Sequence, residues 1–563
     1  MHKDFTVADF FCGAGGFSEG FRQAGFKIIF AMDNWEPARK TYNLNHPESH
    51  QPIDGDILSI SPERINDIIP DVDIIIGSPP CVNFSSSNNA GKADKKEGIT
   101  LIKKFLQIVA VKKHKSNSKL RYWLMENVPN SRKYIQKIYT FNDLGLNNTM
   151  LKKLKIHRSE DDCALIVDTS NQRIHNSVHF GIPQKRERFI TGEFPEPKRT
   201  TESEESWRSL GDVLNSFRVR NGEITDPLYG FHISESNLTD HFYDTEIPRF
   251  EWEEAKVKKQ QARYYGRMSF PEDEKRPART IMATRSIVAR EAMIFSNGKP
   301  GVYRAPTIRE VASIMSFPIN YLFDGKDEAT KYKLVGNAVC PMLAYSFAKV
   351  IIGKEGLKAS RILRINYETS PNFNNLRDNP PPKKKPRPKH HLSNFCEIVP
   401  DMKMMNFRVE LDNSFPKMND GSIGWRMSVH HATGNDSMKK AYPNTKMLKS
   451  MLIKFLGQTK YDAFRHDLEC GLRNKIPDAK SFQELHCNYN PNSCKMTPRD
   501  TLLFIKTIAD KHFRNKLKVL LPNIRKDGEK YICFDSGKLP KEEIPLGIVA
   551  AAYGVSMAIK LTK

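Results

Sequence analysis

Asp9-Phe10-Phe11-Cys12-Gly13-Ala14-Gly15-Gly16-Phe17 closes a short apolar run that begins at Phe5. An apolar run that breaks into a glycine-rich turn and then into helical spacing reads as the start of a β–turn–α unit. The helical stretch covers about residues 17–24 and is closed by Gly25. Working outward, 26–32 is a second strand, ended by Asp33 and Asn34. A third, 73–77 (DIIIG), is almost wholly apolar, as a strand covered on both faces must be. Residues 99–113 have helical periodicity, with Leu101, Phe105, Ile108 and Val109 on one side, and 122–125 is a further strand. Strands alternating with helices predict an α/β fold with a doubly wound parallel sheet.

The pattern changes from about Glu193, resumes near Arg279, and ends in an apolar helix over 341–352. A Pro- and Lys-rich run at 379–391, including Lys383-Lys384-Lys385-Pro386-Arg387-Pro388-Lys389, cannot build a core and reads as an extended linker. The 170 residues from Asn394 to Lys563 suffice for one more globular domain.

The chain has 563 residues, with 88 Lys plus Arg against 65 Asp plus Glu, a net charge of +23. That surplus points to a polyanionic partner, most simply nucleic acid. Nine scattered Cys without a CxxC pair argue against a disulfide framework or a zinc finger, and no metal is expected. No apolar stretch reaches the roughly 18 residues of a bilayer span, and the first nine residues leave no room for a signal peptide. The expectation is a cytoplasmic, nucleoid-associated bacterial protein with no membrane partner.

Four places hold the chemistry-bearing residues. The glycine turn, with Asp33 after the second strand and Asp56 in the DGDI run, suits a nucleoside-containing cofactor; read alone, it is equally an ordinary tight turn. Gly77-Ser78-Pro79-Pro80-Cys81 sets a thiol on a Pro-stiffened loop after a buried strand, where nearby cations would make it a nucleophile. Glu126-Asn127-Val128 places a carboxyl at a strand end, though a solvated acid reads the same. Gln184-Lys185-Arg186-Glu187-Arg188 spaces two Arg so that both project to one side of an extended chain. A solvated basic run is the plainer reading of that cluster.

Taken in order, these four sites resemble the cytosine-C5 DNA methyltransferase family. Further matches follow in the family's order: NSVHFGIPQ at 176–184, RPARTI at 276–281, TIREVASIMSFP at 307–318 and Gly336-Asn337-Ala338-Val339. The resemblance covers about residues 4–353. Val82 stands where the family usually has Gln, Leu334 where a Gln commonly precedes Gly-Asn, and Cys340 replaces a common Pro.

The resemblance implies a Rossmann-like methyltransferase sheet, a small target-recognition region and an additional C-terminal domain. The expected division is catalytic residues 1–198, target recognition 199–275, closing catalytic part 276–360, linker 361–393 and accessory domain 394–563. It implies S-adenosylmethionine as donor and S-adenosylhomocysteine as product, bound by Phe11, Gly13, Ala14, Gly15, Gly16, Asp33, Asn34, Asp56, Ile57, Pro79, Asn337 and Ala338. Cys81 is the implied nucleophile toward C6 of a flipped-out cytosine, with Glu126 at N3, Arg188 at O2 and Arg186 lowering the thiol pKa. The partner is double-stranded DNA, with a cognate restriction endonuclease beside it. Ser85 in the polar loop 85–97, Asn127, and Lys256, Arg263 and Arg267 in a basic-aromatic stretch are the expected DNA contacts. Two alternatives stand at this point: a tRNA cytosine-C5 methyltransferase, and a noncatalytic DNA-binding regulator. Trp425, His430, His431 and Gly434 form a polar-aromatic cluster, and Asp467, Glu469 and Lys475 are scattered as a poor nuclease signature.

Overall fold

The computed structural model describes residues 5–47, 53–81, 84, 95–242, 246–260, 268–284, 286–287, 289–357, 363, 395–404, 406–413, 424–431, 439–487, 493–521, 531–533, 538–540 and 544–562. Two compact units emerge: Met1–Ile247 with Ser269–Lys383, and Pro248–Met268 with Lys384–Lys563.

The first unit is built on β1 (Thr6–Phe10), α1 (Gly16–Gln23), β2 (Lys27–Asp33), α2 (Glu36–Asn45), β3 (Ile53–Asp54), β4 (Ile74–Gly77), α3 (Lys95–His114), β5 (Tyr122–Asn127), β6 (Ile174–Asn176) and β7 (Glu187–Glu193). The sheet order is β3-β2-β1-β4-β5-β7-β6. β1 pairs in parallel with both β2 and β4, and β4 with β5, whereas β7 runs antiparallel to β5 and β6. The strand order reverses between β1 and β4, and the crevice at such a switch point is where open α/β sheets bind ligands.

The isoleucine run explains the centre of the sheet. Ile74 and Ile76 enter one apolar layer with Phe17, Phe21 and Leu124, while Ile75 enters the opposite layer with Phe10, Phe105 and Trp123. Each fully buried Ile contributes about 1.5–3 kcal/mol. A strand with apolar residues at consecutive positions is stable only between two such layers.

Three helices complete the unit: α4 (Ile308–Ile314), α5 (Glu328–Asn337) and α6 (Pro341–Lys354). α1 packs on α6 at very short range. A Cβ at Gly20 would lie 2.4 Å from Ala344 Cβ, and one at Gly16 would lie 2.1 Å from the Val339 carbonyl oxygen. The helical run 328–354 is long and apolar enough to cross a bilayer by composition, contrary to the sequence expectation. Most of it is buried inside the unit, where α6 packs on α1, so its apolarity serves the core.

Residues of the 199–275 region are held to α4 and α5 by a buried polar cluster. Lys331 Nζ lies 2.8 Å from Asp240 Oδ1, and the Arg309 guanidinium donates to the Thr239 carbonyl and hydroxyl. The region is not one piece, however. Residues 248–268 belong to the second unit, so the expected 199–275 boundary is corrected. Burial opposes the Arg499 charge, but its ion pair with Glu397, with smaller help from the Glu254 and Glu253 charges on the helix Arg249–Gln260, raises its pKa above the ordinary value.

The second unit has an antiparallel meander, β8 (Cys396–Met404), β9 (Phe407–Asp412), β10 (Arg426–His431) and β11 (Lys439–Ala441). Its own core includes Val409, Leu411, Val429 and the helix Leu546–Leu561. The polar-aromatic cluster seen in the sequence is dispersed here. Trp425 Nε1 donates to the Ala479 carbonyl, His430 faces Glu410 at 3.0 Å, and His431 packs on Phe407. Gly434 lies outside the described residues. Asp467 is paired with Lys511 and His512, which hold its carboxyl down at about 2.

Asp9 tests the burial of the sheet's ligand end. Burial, opposed by the Ser18 hydroxyl 2.7 Å away and reinforced by the Asp33 charge, pushes its carboxyl up to about 7 from 3.8. The folded chain therefore keeps this proton to about pH 7 while the unfolded chain releases it near pH 4, so stability falls as pH rises across that window. Urea unfolding should show Asp9→Asn more stable than the parent by about 4 kcal/mol at pH 8. The gap should close as the pH is lowered to 4.

Candidate active site

A cavity of about 500 Å³ opens at the switch point, lined by Phe11, Gly13, Ala14, Asp33, Asn34, Asp56, Ile57 and Pro79 together with Cys81, Glu126 and Arg188. It extends to Asn337 and Ala338 at the end of α5.

The turn after β1 forms one wall. Phe11 (φ 57), Gly13 (φ 55) and Gly15 (φ 88) all take left-handed backbone conformations. Gly15 and Gly16 are not lining residues; both are buried behind the turn. A Cβ on Gly15 would sit 2.7 Å from Tyr321 Oη and 2.8 Å from His46 Nε2. Tyr321 Oη donates to the Ala14 carbonyl at 2.6 Å, so this pair braces the turn from behind. Asp33 Oδ2 accepts from Gly13 N at 2.9 Å and Oδ1 from Trp35 N at 2.8 Å. Burial raises its carboxyl pKa above the ordinary value. Asp56 is exposed and caps a short turn through Leu58 N, with Ile57 buried beside it.

The other wall holds a thiol, a carboxylate and a guanidinium. Glu126 is buried at the end of β5. Its Oε2 accepts from Ser78 Oγ at 2.6 Å, and its Oε1 lies 2.8 Å from Arg188 Nε. The Cys81 pKa is raised above 9.0: burial leads, and the Glu126 charge adds to it, outweighing Arg188 and Arg186, which act to lower it. The sequence expectation of a thiol held low by cations is corrected for the free protein. The cations are there, but the loop is desolvated and shares them with a carboxylate.

The two Arg divide. Arg188 faces the cavity. Arg186 is 2 % exposed and donates to the carbonyls of Ile281, Gly336 and Ala338 at 2.9, 3.0 and 3.2 Å. It is a clamp on the chain segment that carries Asn337, and its charge reaches Cys81 only through space. Asn127 is likewise corrected. It is fully buried, its Nδ2 donating to the Pro79 carbonyl and its Oδ1 accepting from Val128 N. It fastens the Pro-Pro-Cys loop and presents nothing to DNA. Lys256 is exposed on the helix Arg249–Gln260 of the second unit. Ser85, Arg263 and Arg267 lie outside the described residues, as do Val82 and residues 85–94 of the polar loop.

Sequence reasoning missed Ser78, Trp35, Leu101 and Lys333, all of which line the cavity. Ser78 could have been found as the hydroxyl residue just before Pro-Pro-Cys. Lys333 stands one helical turn before Asn337, a spacing that puts both on one face.

A sheet of this order, with a glycine turn and acids sharing one cavity with a reactive-type thiol, defines the methyltransferase class. Within that class, the chain belongs to the C-5 cytosine-specific DNA methylase family, whose profile matches residues 5–353. The chain is 29% identical over 376 residues to the Type II methyltransferase M.MthTI of Methanothermobacter thermautotrophicus, covering 62% of this chain and 97% of that one. It is 27% identical over 368 residues to M.NgoPII of Neisseria gonorrhoeae, covering 62% and 96%. Among solved structures, the S. pombe Dnmt2 methyltransferase aligns with a TM-score of 0.38 and 16% identity, over 63% of this chain and 100% of that one.

The raised Cys81 pKa has a direct readout. Alkylation of Cys81 by iodoacetamide, followed by peptide mass spectrometry, should rise about tenfold per pH unit from 7 to 9 without levelling, because only the thiolate reacts. A plateau below pH 8 would contradict the environment described.

Proposed function

We propose that this protein transfers a methyl group from S-adenosylmethionine to C5 of cytosine in double-stranded DNA, leaving S-adenosylhomocysteine. Covalent addition of Cys81 to C6 of a flipped-out base is the means, and the modification half of a restriction-modification system is the setting. The observation that supports this most is that Cys81, Glu126 and Arg188 line the same cavity as Phe11, Gly13, Asp33 and Asp56. A nucleophile and a nucleoside-type site thus face one enclosed space. The named relatives are Type II methyltransferases, which supports the restriction-modification setting and a partner endonuclease.

The residues fit the cofactor. The left-handed turn leaves backbone at the cavity wall with no Cβ at Gly13, and Asp33 and Asp56 suit ribose hydroxyls and an adenine amino group. Asn337 and Ala338 line the same cavity and suit the cofactor's amino-acid part. When bound, S-adenosylmethionine supplies an electrophilic methyl group on a sulfonium.

The chain's own residues make cytosine reactive. Cys81 Sγ forms a bond to C6, which moves electron density to C5 and N3. Glu126 holds N3 and delivers the proton it takes up, and Arg188 faces O2. Once C5 carries the methyl group and has passed its own proton to solvent, the Sγ–C6 bond breaks, N3 returns its proton to Glu126, and the thiolate departs. C6 is shielded in stacked DNA, so the base must leave the helix first. Ser78 and Arg188 fix Glu126 before the base arrives, so little reorganisation is needed.

Incubation with radiolabelled-methyl S-adenosylmethionine, unmethylated duplex DNA and tRNA, with mass spectrometry of the labelled base, tests this directly. Label is expected in 5-methylcytosine of DNA. Glu126→Gln should lower the methylation rate by about 10²–10⁴-fold, and Cys81→Ser should abolish it. Label only in tRNA, or undiminished label with Cys81→Ser, would refute the proposal.

A further inference from the structure

None of the residues lining the cavity belongs to the second unit. That unit is basic in its own right: residues 394–563 hold 28 Lys plus Arg against 18 Asp plus Glu. Part of this charge is neutralised in place. Arg408 faces Glu410, Arg426 and Lys440 share Asp412, Arg499 faces Glu397 and Lys511 faces Asp467.

The helix Thr445–Leu456 (TKMLKSMLIKFL) departs from this pattern, with three Lys and no acid. Leu448, Met451 and Leu452 are buried on one side of it. At 3.6 residues per turn, Lys446, Lys449 and Lys454 fall on the opposite side, and all three are exposed. Among the described residues none of the three is in an ion pair. Lys449 Nζ lies 5.9 Å from the centroid of the Tyr461 ring, a weak contact at an exposed site. The helix is held firmly. Asn444 caps its first turn by accepting from Met447 N at 2.9 Å, and Thr445 Oγ1 lies 2.6 Å from Ser556 Oγ on the helix Leu546–Leu561, against which it packs.

Three like charges within about 12 Å of helix axis repel one another. A row of phosphates relieves that repulsion and releases counterions as it binds. Ammonium groups on flexible stems meet phosphates as point charges and position a duplex without reading its sequence. We propose that this helix face is a second DNA-holding surface, which binds the phosphates of double-stranded DNA irrespective of sequence. The partner follows from the charge and from the first unit's membership in a DNA methylase family. Carried on the same chain, the surface raises the effective concentration of duplex for the catalytic unit without entering the chemistry. The inference goes beyond methyl transfer, because a duplex held here needs no cytosine.

Fluorescence anisotropy of the full chain with a cytosine-free A·T duplex, titrated at several salt concentrations, separates this surface from the methylation site. The parent should bind. Lys446→Gln, Lys449→Gln and Lys454→Gln together should weaken binding tenfold or more at about 0.1 M salt, and flatten the slope of log affinity against log salt by about 3. The three Lys→Arg changes should bind as the parent does. Removing as many exposed Lys elsewhere on the unit, by Lys475→Gln, Lys480→Gln and Lys495→Gln, should cost about threefold or less. No binding of the A·T duplex by the parent, an unchanged salt slope in the helix variant, or an equal loss in the control variant would overturn the assignment and leave the methylation reading standing. So would a helix-dependent affinity for tRNA with none for duplex DNA. Loss of methylation in the parent with A·T binding intact would overturn the methylation reading alone.

Discussion

A guanidinium removed from water must place its donors on acceptors inside the protein, and Arg186 does so on the carbonyls of Ile281, Gly336 and Ala338. That requirement joins two distant parts of the chain: the start of the strand that carries Arg188, and the end of the helix that carries Asn337. Both walls of the cavity are thereby fixed to one another. Replacing Arg186 would leave buried carbonyls unmet as well as remove a charge, so its effect reaches the whole site.

The remaining geometry follows the same economy of shared groups. Asp33 accepts from Gly13 and Trp35, setting the turn and the aromatic rim with one carboxylate. Glu126 is fixed by a hydroxyl and a guanidinium, and Asn127 beside it fastens the loop that bears Cys81. Adjacent residues of one strand end thus do two jobs, chemistry and positioning. The cost falls on the thiol: the burial that orders its loop, with Glu126 close by, raises its pKa in the free protein. Arg188, which acts to lower that pKa, is itself paired with Glu126 in the free protein.

The fold was legible to the extent that neighbours in sequence are neighbours in function. The isoleucines 74–76 require a strand covered on two sides, and the glycine turn requires left-handed backbone, so both could be read directly. The division of labour between Arg186 and Arg188 could not, because two-residue spacing gives direction and not depth. Asn127 looked like a polar residue open to DNA and is buried. The helix at 249–260 looked like part of the recognition region, yet it groups with residues more than a hundred positions further along the chain.

Local pattern by itself determined the strand–helix alternation, the thiol, carboxyl and arginine candidates, and the basic charge that suits a nucleic acid. These are properties of composition and short spacing, which the chain carries before it folds. Tertiary structure alone decided which of those groups face the cavity, and which serve as struts behind it. It also brought Trp35 to Lys333 and Ser78 to Glu126. Such pairings arise from the pairing of remote strands in the sheet and the packing of α5 against α2 and α4. A contact between remote segments is fixed by where the backbone is carried, and no local spacing encodes that distance.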